Sequence, residues 1–286
     1  MPGICILTDS TAQFPVPTFA GHEVVSMIPL HIQMDGQLYT DGKDLKTSQL
    51  PTSVNQHLRL QALPPTVDEF RQVFTTLSRK YSDIVAILIS SHLSQTVNHA
   101  REAADTVHGP AVIQVIDSQV TAAGLGLLVQ MASRAATRGA TANRISRLMR
   151  GAVPRIYTVF CLQSLTYLYH SGYLDPAQAI LGEMLGVMPF FILENGKLVP
   201  IQKVRNSRHL VDIIHEFIAE FGNLKHIALI QGVPPFEQEA RSLRERINGD
   251  FPSATFSEHN LGTALGTILG PHSFGVVAME NCQDFD

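Results

Sequence analysis

The chain has only three cysteines, Cys5, Cys161 and Cys282, far apart and with no CxxC among them. So sparse and odd a set excludes a disulfide framework and a thiolate metal site, and it fits a reducing cytoplasm. Charge is scarce as well: 16% of residues are Asp, Glu, Lys or Arg, the net charge is -4, and the basic residues are spread thinly. That leaves no basic footprint for a nucleic acid. Long apolar runs are also missing. Stretches such as Met184 to Leu193 are interrupted and too short for a bilayer, and the N-terminus enters an apolar strand with no basic leader. The expectation is a soluble, cytoplasmic protein. Tryptophan is absent, but the 45% apolar content supplies a large core or an apolar cavity.

Catalytic signatures are missing too. The twelve histidines show no HxxxH or HExxH spacing and no pairing with cysteine, so no metal is expected. His92 lies in a serine-rich segment, but without a GxSxG elbow it does not make a hydrolase. Gly124-Leu125-Gly126 lacks the third glycine of a dinucleotide loop and begins inside a helical stretch, and no Gly-Lys-Ser/Thr follows. These glycines, with Gly262, Gly266 and Gly270, read as sites of close helix packing.

What the chain does contain is a repeated arrangement. Three short apolar runs, Ile4 to Leu7, Ile84 to Ile89 and Val112 to Ile116, each end in hydroxyls or a carboxylate: Thr8-Asp9-Ser10-Thr11, Ser90-Ser91-His92-Leu93-Ser94 and Asp117-Ser118. Short β-branched runs of this kind read as buried parallel strands, so the polar clusters share one carboxyl edge. Open α/β sheets bind ligands at that edge. Ser90, Ser91, Ser94 and Thr96 stand where a strand turns into a helix beginning near Leu93 or Ser94, and free N–H groups there favour an anionic oxygen. The plainer reading is N-capping, for which serine is a preferred residue. Asp9 and Asp117 read as structural supports of the middle cluster, Asp117 serving equally as a support for a helix starting at Ala122.

The rest of the chain fits two lobes. Val24 to Met34 turns at Asp35-Gly36 into Gln37-Leu38-Tyr39 as a hairpin. Helical spacing covers Leu45 to Leu60, Val67 to Tyr81, Ala122 to Arg138 and Thr141 to Met149, and its alternation with strands is the pattern of a parallel α/β sheet. Gly151-Ala152-Val153-Pro154 breaks this pattern, which places a boundary between an N-terminal α/β domain, 1–154, and a C-terminal α+β domain, 155–286. The second half carries a strand from Arg155 to Cys161 and a hairpin through Asn195-Gly196. It then has helices over Ser207 to Phe221 and Phe236 to Ile247, a strand over Ile227 to Ile230 and a last strand from Phe274 to Met279.

Taken together, the order of motifs resembles the DegV family of bacterial fatty-acid-binding proteins over essentially the whole chain. The matching pieces are Leu7 to Thr11, Ile28-Pro29-Leu30 leading to Tyr39-Thr40-Asp41-Gly42, Ile89 to Thr96, Ile116-Asp117-Ser118, Leu185 to Pro189 and Lys203-Val204-Arg205. The resemblance implies a buried tunnel between and within two lobes, holding one long-chain fatty acid such as palmitate or oleate as ligand rather than cofactor. It implies a carrier that is not an enzyme and that presents the carboxylate to a separate fatty-acid kinase. Ser94 matches the head-group serine, with Ser91, His92 and Thr96 beside it. Lys203 and Arg205 match a stretch that docks the kinase, although an exposed strand end accounts for them equally.

Three segments depart from the family pattern. Ala62 stands where a head-group threonine is usual, Ser171-Gly172-Tyr173 where Gly-Gly-Arg is usual, and Ile268-Leu269-Gly270-Pro271-His272 where His-Thr-Gly-Pro-Gly is usual. Ala62, Tyr173 and Ile268 therefore belong to the expected head-group surroundings. Burying about fifteen methylenes is worth on the order of 12 kcal/mol before ordering losses, against about 1.5–3 kcal/mol for one hydrogen bond to a charged group. The departures thus bear on head-group identity and phosphotransfer more than on holding the tail. Two alternatives stay open: a phosphotransferase related by fold to dihydroxyacetone kinases, and a regulatory module that has lost its ligand, with Phe160, Tyr173 or Phe190 filling the tail space.

Overall fold

In the computed structural model, which describes residues 3–52, 59–109, 111–175, 177 and 188–281, the three apolar runs are neighbouring strands of one parallel sheet. They are β1 (Ile4–Asp9), β6 (Asp83–Leu88) and β7 (Val112–Asp117), and β2 (Val25–Ile28) adds to the far side of β1 in the order β2-β1-β6-β7. A second sheet of six strands collects the later chain: β8 (Ile156–Cys161), β9 (Met188–Glu194), β10 (Lys197–Val204), β11 (Leu224–Gln231), β12 (Thr255–Asn260) and β13 (Phe274–Glu280). Its order is β10-β9-β8-β13-β11-β12, and every pairing except β11 with β12 is antiparallel. A small antiparallel sheet places β3 (His31–Met34) between β4 (Gln37–Thr40) and β5 (Leu60–Leu63).

Helices fill the layers around these sheets. α1 (Val67–Ser78) and α2 (Thr96–Thr106) cover one face of the parallel sheet, burying Phe70, Phe74 and Val97 against Cys5, Leu7 and Ile84. The start of α1 follows from its sequence, since Thr66 and Glu69 form a reciprocal capping box just after Pro64-Pro65. The other face meets α3 (Ala122–Thr137) and α4 (Ala142–Ala152). α3 has the parallel sheet on one side and β8, β11 and β13 of the mixed sheet on the other. One apolar cluster consequently runs from Ile6, Val85 and Ile87 through Leu125, Leu128 and Val129 to Phe160, Phe191, Ile230 and Val277. The outer face of the mixed sheet is covered by α6 (Ser207–Ala219) and α7 (Glu237–Asp250), while the short α5 (Thr166–His170) and α8 (Thr263–Leu269) pack against each other.

Several expectations need correction. The apolar stretch Val24 to Met34 is not one hairpin arm: it divides at Pro29-Leu30, with β2 joining the parallel sheet and β3 pairing with β4. Pro29 has no N–H to continue a ladder, which suits a break there. Among the described residues of Leu45 to Leu60 the helical content is a single 3₁₀ turn, Thr47–Gln49, and at Leu60, which begins β5, pairing with β3 outweighs the local helical spacing. Residues 53–58 of that span lie outside the described residues. β12 and α8 were not anticipated. β12 is a polar edge strand, and α8 is short, with Gly262 and Gly270 at its two ends. α2 begins at Thr96 because the chain first coils around Ser90, whose carbonyl accepts from both Leu93 N and Ser94 N. Among the described residues no helix is long and apolar enough to cross a membrane, and no group of three His, Cys, Asp or Glu side chains is placed to hold a metal.

Candidate functional site

At the carboxyl edge of the parallel sheet the turn from β6 to α2 is fixed from both sides by the neighbouring strands. Asp9, at the end of β1, is fully buried and accepts from Ile89 N at 2.6 Å, and from Thr11 through its N–H at 3.0 Å and its hydroxyl at 2.5 Å. Burial raises its carboxyl to about 6, and those hydrogen bonds oppose the rise. Asp117, at the end of β7, accepts from Ser91 through N–H and hydroxyl and from Gln119 N. It therefore holds the Ser91 turn, the support of the middle cluster that the sequence offered, rather than the start of the helix at Ala122. Ser90 reaches the mixed sheet. Its hydroxyl donates to Gly196 O at 2.8 Å, in the β9–β10 turn where Asn195 and Gly196 both have positive φ. A Cβ at Gly196 would stand 2.4 Å from Ser90 Oγ, so only glycine allows this approach.

A cavity of about 250 Å³ opens on the same turn. Its lining includes Ser91, His92, Ser94, Ala62, Tyr173 and Ile268, drawn from the β6–α2 turn, β5, the segment after α5, and α8. The structure thus brings together six of the seven residues singled out as head-group surroundings. Thr96, the seventh, is fully buried behind the wall, with its hydroxyl 2.8 Å from Ser94 Oγ. Gln61, Pro64, Leu93, Gln95 and Ser171 complete the lining. Of these, Gln95 and Ser171 lie inside motifs already noted, whereas Gln61 enters through β5, a strand that the sequence reading did not assign.

Among the described residues no lysine or arginine lines this cavity, and the titratable groups of its lining are His92 and Tyr173. The Tyr173 hydroxyl donates to Leu93 O at 2.7 Å, and burial pushes its phenol up to about 12, so it stays protonated. Replacing Tyr173 with Phe is expected to lower stability by about 1 kcal/mol, the net worth of one such bond, as a shift in urea midpoint with unchanged slope.

α8 is held to the N-terminal strands through the Thr40-Asp41-Gly42 motif. Asp41 accepts from Ser10 Oγ at 2.6 Å and from Ala264 N at 3.1 Å, while Ser10 Oγ accepts from Leu30 N. That motif thereby places Ile268. Of the large side chains considered as fillers of tail space, Phe160 packs in the α3 layer over Gly275, Phe190 lies in the separate core under α6 and α7, and Tyr173 borders the cavity. Leu185, Gly186 and Val187 of the matching motif lie outside the described residues, as does Cys282. Lys203 and Arg205 are exposed at the end of β10 and just after it, away from the cavity lining.

Known proteins resemble this chain along its full length. The family model described as "uncharacterised protein, DegV family" matches residues 3–281. A DegV domain-containing protein of Caldanaerobacter subterraneus is 30% identical over 283 residues, covering 96% of this chain and 98% of its own. A DegV family protein from Thermus thermophilus, solved in a study of fatty acid binding, shares the fold at a TM-score of 0.83 with 22% identity, over 98% of this chain and 100% of its own. The fatty acid kinase B3 protein of Streptococcus pneumoniae, solved loaded with linoleic acid, does so at 0.84 with 20% identity, over 98% and 100%. On the extent of these matches in both sequence and fold, the chain belongs to the DegV family.

Proposed function

We propose that this protein carries one long-chain fatty acid, such as palmitate or oleate, with its head group at Ser94 and its tail in the apolar interior. The observation that carries the reading is the convergence of Ser91, His92, Ser94, Ala62, Tyr173 and Ile268 on one cavity at the sheet edge. The linoleic acid held by the Streptococcus pneumoniae relative supports the same ligand class. In this reading Ser94 Oγ and the first N–H groups of α2 hold the head group, with Ser91 and His92 beside them and Thr96 fixing Ser94 from behind. Ala62 and Ile268 offer methyl groups where a polar partner would otherwise stand. Most of the affinity then comes from the tail.

The division at Pro154 belongs to this reading, with residues 1–154 carrying the head-group turn and 155–286 the acyl chain. The protein acts in the cytoplasm without a catalytic residue of its own and presents the carboxylate to a separate fatty-acid kinase, docked at Lys203 and Arg205. The test is native mass spectrometry of purified protein before and after delipidation, with palmitate and oleate added back. A bound acyl chain that exchanges is expected; protein that is empty as purified and takes up neither acid would overturn the carrier reading. Ser94→Ala is expected to weaken palmitate about tenfold, the lower end of a hydrogen bond to a charged group. Unchanged affinity would move the head group away from Ser94.

A further inference from the structure

Among the described residues the edge of the parallel sheet at β7 is open, since its only strand neighbour there is β6. The strand reads Val112-Ile113-Gln114-Val115-Ile116, with no charge and no proline before Asp117, and Val112 is 55% exposed. Unprotected edges of this composition invite pairing with another chain, and most proteins blunt them with charges or proline within the strand. Here the charges flank the strand instead. A groove of about 700 Å³ runs beside β7, and Arg101 from α2 and Arg147 and Arg150 from α4 converge on it. None of the three guanidinium groups has a carboxylate partner among the described residues. The one carboxylate in the lining, Asp117, is already engaged by Ser91 and Gln119.

We infer that this groove docks an extended acidic segment of a partner protein, added as a fifth strand along β7 with its carboxylates on the three arginines. Backbone pairing supplies the register and the arginines supply selection by charge. A second copy of this chain is disfavoured as the occupant, because pairing β7 with β7 across a two-fold axis would bring two sets of unpaired guanidinium groups together. Gln114 stiffens the groove: its amide donates to Asn143 Oδ1 and accepts from Ser146 Oγ, tying the edge strand to α4. The site is separate from the fatty-acid cavity, and it stands whether or not the chain carries lipid.

The test uses the full chain with an acetylated peptide Val-Glu-Val-Glu-Val-Glu-Val, and the same peptide with lysine replacing glutamate. The acidic peptide is expected to slow amide hydrogen exchange at residues 112–117 and to bind more weakly as salt rises. The variant R101E/R147E/R150E should lose at least tenfold in affinity, the neutral R101Q/R147Q/R150Q should fall between it and the parent, and the lysine peptide should give no protection. These arginines are exposed, so a thermal melt close to the parent's verifies that each variant is folded. The inference is overturned by absence of protection at β7, by equal binding of the lysine peptide, by unchanged affinity of the charge-reversed variant, or by a concentration-dependent dimer that covers β7.

Discussion

Gly126→Ala is expected to destabilise the protein by more than about 4 kcal/mol, enough to empty much of the native state of a domain whose total stability is about 5–15 kcal/mol. A Cβ at position 126 would stand 1.8 Å from the carbonyl oxygen of Gln13 and 2.5 Å from its carbonyl carbon. Both are backbone atoms, so no rotamer change relieves the overlap. α3 has nowhere to retreat. Gly124, two residues earlier and so on the opposite side of the helix, is already 3.1 Å from Ile156 Cγ2 by the same construction, and α3 lies between the two large sheets. Moving the Gln13 segment instead would break the bond from Gln13 N to Ala122 O, 3.1 Å, at the start of α3. Gly139→Ala is the fitting control: it also adds one methyl, at φ +82 but with nothing within 4 Å, and should cost about 1 kcal/mol. Urea denaturation of both variants checks the contrast. Equal midpoints would show that α3 is free to shift and that its glycines are not packing positions.

Those two glycines show what was legible in the sequence. Gly124-Leu125-Gly126 was separable from a nucleotide loop by what it lacks, and packing was the remaining cause; the structure supplies the partners, Ile156 and Gln13. The three parallel strands were legible for a similar reason. Each is a short apolar run rich in β-branched residues and followed at once by hydrogen-bonding side chains, a pattern with few other readings. Ser91, His92 and Ser94 were legible because they sit in the same turn. Ala62, Tyr173 and Ile268 carry no chemistry that would mark them, and they emerged only from family resemblance. What local pattern did not show was decided by pairing at a distance. β5, of which only Leu60 falls in the helical stretch, is not marked as a strand until β3 lies beside it, and β12 is polar because it is an edge. Asp117 reads equally as a support of the middle cluster and as a cap for the helix at Ala122, and only the contact with Ser91, 26 residues earlier, separates the two.

Acid sensitivity should reveal two buried groups that almost cancel. His226 on β11 is 6% exposed and belongs to a directional chain of hydrogen bonds. Thr255 Oγ1 donates to Lys225 O at 3.0 Å, so it accepts from His226 Nδ1 at 2.6 Å. His226 Nε2 is then the unprotonated nitrogen and accepts from Ser257 Oγ at 2.8 Å, while Ser257 in turn accepts from His259 Nε2 at 2.8 Å. A proton on His226 Nε2 would meet the Ser257 hydroxyl hydrogen, and burial holds the imidazole down at about 4, with His259 lowered as well. A histidine depressed in the folded state stabilises fully above the unfolded value of about 6.5, and this contribution is lost as pH falls toward 4; by pH 5 the loss from His226 is about 2 kcal/mol. Asp9 acts in the opposite sense. Raised to about 6 when folded against about 3.9 unfolded, it binds its proton more readily in the native state and adds about 1 kcal/mol between pH 7 and pH 5. The parent protein is therefore expected to change by less than about 1 kcal/mol over that range. Asp9→Asn should expose the histidine loss of about 2 kcal/mol, and His226→Gln should leave a protein that gains stability on acidification by about 1 kcal/mol. Urea denaturation at pH 7, 6 and 5 reads the slopes, which are insensitive to whatever each substitution costs at neutral pH. Parallel slopes in all three proteins would remove both groups from the acid response.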